Sequence, residues 1–188
     1  MDNKLKIINY LAKNKGKHTM HELSKTLNIP YATFYRVVKK SSDILTTELV
    51  GKSKLLSLNK ESILTSHLAI ASDEEKKEFL KKQPLINLIH KDLDTSEVVL
   101  LFGSYAKNKP KPHSDIDLAI LNKTGNKSFS LNKLEILLNK EINPMFFSFS
   151  EFNLMLKDKE ENVGKQILKN HIVLKNPQKF WEEILNEV

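Results

Sequence analysis

Asp115 and Asp117 are the residues of this 188-residue sequence whose type and spacing point most directly to chemistry. They open a run, Asp115-Ile116-Asp117-Leu118-Ala119-Ile120, that reads as a strand. In a strand alternate side chains share a face, so the two carboxylates point the same way while Ile116 and Leu118 turn into a core. Two like charges held close together repel unless a cation sits between them. A hard divalent ion such as Mg2+ suits that position, because it takes oxygen ligands and leaves room for phosphates. Upstream, Leu100-Leu101-Phe102 reads as a short apolar strand that ends in a Gly103-Ser104 turn. The glycine permits close approach and the serine places a hydroxyl beside the ion, an arrangement suited to a triphosphate.

Phe102-Gly103-Ser104, then ten residues (105–114), then Asp115-Ile116-Asp117-Leu118 resembles the polymerase-beta-like nucleotidyltransferases in their minimal form. The resemblance implies transfer of a nucleotidyl group from a nucleoside triphosphate to a hydroxyl, with one or two Mg2+ ions. Carried over residue by residue, Asp115 and Asp117 are the catalytic metal ligands, and Gly103, Ser104, Lys107 and Ser114 lie at the nucleotide. Lys107 also reads as a solvated loop lysine. The family's third carboxylate falls on the strand expected at 141–149, where Asn143 stands. An asparagine ligates through a neutral carbonyl and is no base. Glu141, two residues earlier on the same strand face, is the alternative ligand. The family's second loop glycine stands here as Asn108, which tolerates the left-handed conformation.

Charge is distributed unevenly. Residues 1–60 hold 12 Lys/Arg and 4 Asp/Glu, whereas 61–188 hold 18 and 19, so the net +7 resides in the first third. A basic block joined to a near-neutral one suggests a polyanion-binding module attached to something else. A solvated lysine-rich surface is the plainer alternative, since Arg36 is the only arginine. There are no cysteines, hence neither disulfides nor thiolate metal sites. The six histidines offer no pair at metal-ligand spacing. Met1-Asp2-Asn3-Lys4 leads into a charged amphipathic segment and no apolar run approaches membrane-spanning length, so a cytoplasmic protein without membrane contact is expected.

Leu5, Ile7, Ile8 and Leu11 predict a helix over 3–14, ended by Asn14-Lys15-Gly16-Lys17. Thr19-Met20-His21-Glu22 fits a capping box opening a second helix. Pro30 precedes a third over 31–40, with Phe34, Val37 and Val38 inward. Ile44–Val50 and Leu55–Leu58 read as strands around a Gly51-Lys52 turn. The set over 3–60 resembles a winged helix-turn-helix, which implies DNA as a partner. Tyr31, Thr33, Tyr35 and Arg36 are then the candidates for base edges, and Lys39, Lys40, Lys52 and Lys54 for phosphates. Core packing is the alternative for Tyr31 and Tyr35.

Residues 61–83 read as a helix pair, the second capped by Ser72-Asp73-Glu74-Glu75 and broken at Gln83-Pro84. A further helix carries Leu85, Ile86, Leu88, Ile89 and Leu93. Past the acidic strand, Leu131, Leu134, Leu137 and Leu138 mark a helix. A strand over 141–149, helices opening at Ser150 and Glu161, a strand Ile172–Leu174 and a closing helix Pro177–Asn186 follow. The expected fold is α/β (α+β): a winged helix-turn-helix (1–60), connecting helices (61–95) and a minimal nucleotidyltransferase (96–188), a small mixed sheet with helices on one face. Two functions follow from different classes. One is a DNA-binding enzyme transferring NMP to a protein or RNA acceptor, antitoxin-like and with a toxin partner. The other is a DNA-binding transcriptional regulator whose degenerate domain senses nucleotide or acts as a scaffold. A homodimer is expected, as winged helices pair on palindromic sites.

Overall fold

The computed structural model describes residues 1–14, 16–59 and 63–185. Lys15 in the first turn, Glu61-Ser62 at the start of the connection and Asn186 at the end of the last helix lie outside the described residues. Helix α1 (Asn3–Lys13) begins where Asp2 accepts a hydrogen bond from the Lys4 amide, and buries Leu5, Ile7, Ile8 and Leu11. Strand β1 (His18–Thr19) precedes α2 (Met20–Thr26), and Thr19 caps α2 through the Glu22 amide at 3.1 Å. Asn28 adopts φ 53° and turns the chain into α3 (Tyr31–Lys40), whose Phe34 and Val38 are buried. β2 (Leu45–Val50) and β3 (Ser53–Leu58) form an antiparallel hairpin, and β1 adds to its other side to give the order β1-β3-β2. The two-residue β1 carries no alternation and was not legible in the sequence.

Helix α4 (Ile63–Lys82) runs unbroken past Ser72. The helix pair expected over 61–83 is therefore one helix. Its reason is tertiary: Ser72 is fully buried and its hydroxyl accepts a hydrogen bond from Trp181 Nε1 at 2.9 Å, so it does not compete for its own backbone as a cap would. Gln83 then breaks the helix and Pro84 opens α5 (Pro84–Asp92).

The second sheet comprises β4 (Val98–Leu101), β5 (Ile116–Asn122), β6 (Ile142–Ser148) and β7 (Ile172–Lys175) in the order β6-β5-β4-β7. β5 and β6 are parallel and the other pairs antiparallel, so the sheet is mixed. Between β4 and β5 lies the short helix α6 (Gly103–Ala106). α7 (Asn132–Leu138) makes the crossover to β6. α8 (Phe149–Lys157), entered through a Ser148–Glu151 capping box, and α9 (Val163–Lys169) lead to β7, and α10 (Pro177–Ile184) closes the chain.

Both faces of this sheet are covered, which corrects the expectation of helices on one face. Val98, Leu100, Ala119, Leu121 and Val173 join a core with Phe152, Phe180 and Trp181 that continues to Ile7, Ile8 and Phe34 of the N-terminal helices. The alternate residues Val99, Leu101, Leu118, Ile120 and Leu174 pack against Ile86 and Ile89 of α5 and Leu134 of α7. Leu137, expected in the core with Leu134, is 71 % exposed. Phe149 starts α8 rather than ending the strand. No helix among the described residues is long and apolar enough to cross a membrane.

Candidate functional site

The backbone at the end of β4 and the start of β5 brings the sequence candidates together. Gly103 has φ +69°, and a Cβ placed there would fall 2.9 Å from Asp117 Cγ and against Oδ2. Glycine is thus required twice at this position, by the left-handed backbone and by the carboxylate packed onto it. The Phe102 amide donates to the Asp117 carbonyl at 3.0 Å, which ties the two segments on the same row. Ser104 follows within α6, so the expected turn is the first turn of a short helix, and Ser104 is half-buried.

Asp117 is half-buried on β5, on the face shared with Ala119 and Leu121. Asp115 lies one residue before the strand and is exposed, so the strand opens with one carboxylate and not two. Burial raises the Asp117 carboxyl above the usual carboxylate range, a hydrogen bond from Asn143 lowers it, and the Asp115 charge raises it further. The Asn143 contact follows from register: β5 and β6 are parallel with Asp117 opposite Asn143. Two carboxylates that feel one another, one of them reluctant to ionise, form a donor set that a divalent cation would relieve.

Glu141 does not complete that set. It is exposed ahead of β6, and its carbonyl accepts from the Ile116 amide at 3.0 Å. No group of three acidic or histidine side chains that could hold a metal forms among the described residues. Ser114 faces inward to its own loop: its Oγ accepts from the Lys111 amide at 2.8 Å. Lys107 is exposed and closes α6 through its amide, 3.3 Å from the Gly103 carbonyl. Asn108 takes φ 53°, as its place in the glycine's position requires.

A sequence profile described as "Polymerase beta, Nucleotidyltransferase" matches residues 77–180, from the second half of α4 into α10. The chain belongs to the polymerase beta nucleotidyltransferase family. No curated protein and no solved structure matches it. Family membership carries nucleotidyl transfer, a nucleotide substrate and in general a divalent metal. The nucleotidyltransferase match does not extend to α1, α2, α3 or the hairpin.

The residues proposed for DNA lie on that unmatched part. Tyr31 and Tyr35 are 46 % and 38 % exposed, so core packing is not their role. Arg36 Nε reaches the Ala32 carbonyl at 3.4 Å, and Thr33 is half-buried beside it. Lys39 and Lys40 are exposed at the end of α3, Lys52 is exposed on the hairpin, and Lys54 Nζ sits 5.4 Å from the Tyr35 ring centroid. A cleft beside the Gly103 helix, lined by Lys6, Lys13 and Lys169, has no counterpart in the sequence pattern. Lys6 and Lys13 lie on α1 and Lys169 at the end of α9, so only the fold brings the two walls together.

Proposed function

We propose that this chain is a DNA-binding nucleotidyltransferase. An N-terminal winged helix (residues 1–60) is joined through helices over 61–95 to a catalytic domain (96–188) that transfers NMP from an NTP to a hydroxyl of a protein or RNA acceptor. The observation that carries the reading is the close packing of Asp117 on a left-handed Gly103, with Asp115 contributing charge to the same site. In this reading Asp115 and Asp117 hold Mg2+, and Gly103 and Ser104 lie against the triphosphate. Bound metal would neutralise the phosphates and stabilise charge on the departing pyrophosphate. Transfer forms a bond from the acceptor oxygen to the α-phosphorus and breaks the bond to pyrophosphate. The order of α1, β1, α2, α3 and the β2–β3 hairpin, and the exposed basic end of α3, support the DNA-binding part. A homodimer, an antitoxin-like role with a toxin partner and a cytoplasmic location belong to the same proposal.

One observation favours a second reading. Asn143 replaces the base-capable carboxylate and instead hydrogen-bonds Asp117, so the domain would bind nucleotide without turnover and act as a sensor in a transcriptional regulator. Incubation with α-labelled NTPs and cellular RNA or protein separates the two. Product that disappears in Asp115→Ala supports transfer. Nucleotide binding without any product supports the sensor.

A further inference from the structure

Two adjoining clefts, of about 420 and 380 Å³, lie between α1 and the α9–β7 connection. They share Lys13, Asn14 and Lys169. The first also takes in Lys6 and Tyr10, and the second His18 and Lys165. Four lysines therefore face two glutamates, Glu75 and Glu161. Glu75 is already held by Lys13 at 2.6 Å, while Lys13 also donates to the His171 carbonyl at 2.8 Å. Lys165 is anchored on the Asp158 and Glu160 carbonyls. Lys6 and Lys169 stand exposed at the rim. Lys6 also lies near Glu78, which engages the terminal amine of Met1. Tyr10 and His18 meet edge to face at 5.6 Å within the groove walls.

The groove opens at the end of the sheet that carries the Gly103–Asp117 pair. Ile172 lines it and shares a row with Leu101 on β4 and Leu118 on β5, the row next to that of Asp117 and on the other face of the sheet. Two strand spacings, roughly 10 Å, separate the groove from the acidic strand. That is a span of about three stacked nucleotides at roughly 3.4 Å each. Ala106, at the end of the helix that bears Ser104, also borders it.

We propose that this groove binds a single-stranded RNA end and leads it to the Gly103–Asp117 site, which makes RNA the acceptor class. The purpose rests on the nucleotidyl-transfer reading, but the binding itself does not. Lysines supply point charges for successive phosphates. The half-buried Tyr10 ring, which lines the first cleft and is braced edge to face by His18, supplies an aromatic face for a base, which an acidic protein segment would not need. One wall is α1, outside the family match, so the groove is a property of this chain's two-part build.

The test is anisotropy of a fluorescein-labelled single-stranded RNA oligonucleotide with the full chain, in EDTA and without NTP, across a salt series. Neutralising the two exposed rim lysines, Lys6→Gln with Lys169→Gln, lowers the slope of log affinity against log salt by about 1.4. Tyr10→Leu weakens binding about tenfold. The lysine variant retains the wild-type thermal melt, Tyr10→Leu melts lower because that ring packs against the core, and both retain duplex-DNA affinity. Unchanged RNA binding in both variants overturns the proposal. So does a parallel loss of duplex DNA, loss on Lys39→Gln with Lys40→Gln instead, or a groove that takes only acidic peptides. Because neither metal nor NTP is present, failure here leaves the catalytic reading untouched, and loss of turnover leaves this result untouched.

Discussion

Asp117 and Gly103 occupy each other's space: the carboxylate rests where any other residue at 103 would carry its Cβ, 2.9 Å from Asp117 Cγ. The sheet end and the Gly-Ser segment are thereby a single unit, and disturbing either member moves the other.

Gly103→Ala should expose this coupling. An L-residue at φ +69° costs about 1–2 kcal/mol before any clash is counted. The clash then drives Asp117 away from its partner Asn143. The expected outcome is a lower melting temperature together with lost nucleotide binding, read by differential scanning calorimetry and by calorimetric titration with NTP. Retained binding at a lower melting temperature would show that the carboxylate does not need this position.

The raised Asp117 carboxyl predicts a pH dependence. The native state holds this proton more tightly than the unfolded chain, so its stabilising contribution is complete below the ordinary carboxylate pKa and is lost as pH rises through the raised native value. Chemical denaturation across that window should show wild type losing stability relative to Asp117→Asn. Mg2+ should restore it above the window in wild type and not in the variant.

Asn143→Asp tests which of the two functional readings applies. It places a third carboxylate in register with Asp117. Without metal the added repulsion should push the Asp117 carboxyl up further and lower stability. With Mg2+ the new carboxylate adds a ligand and a base, and transfer from labelled NTP should rise by about 100-fold or more. No gain in transfer would favour a domain that only senses nucleotide.

Ser72→Ala tests the packing of α4 on α10. It leaves the Trp181 indole N–H, on a fully buried ring, without its acceptor. The expected cost is about 1–3 kcal/mol in denaturant unfolding. A change within a few tenths would mean that the indole finds another partner.

The site's two ends were legible in the sequence because each is a local pattern: a glycine before a serine, and carboxylates spaced by two ahead of an apolar run. The hairpin and the helices with clean caps, such as Thr19 and Pro84, were legible for the same reason. Ser72 misled because a serine before three acidic residues has the composition of a cap, while its actual partner, Trp181, is 109 residues away. Leu137 misled because helical spacing does not reveal which side a neighbour covers. The Lys6–Lys13–Lys169 groove left no local signal, since its walls come from opposite ends of the chain.

The most direct measurement is equilibrium binding of NTP, with and without Mg2+, to wild type, Asp117→Asn and Gly103→Ala. Wild type should bind only when Mg2+ is present, and both variants should bind about 10–100-fold more weakly. Equal affinity in EDTA, or undiminished affinity in Asp117→Asn, would contradict it.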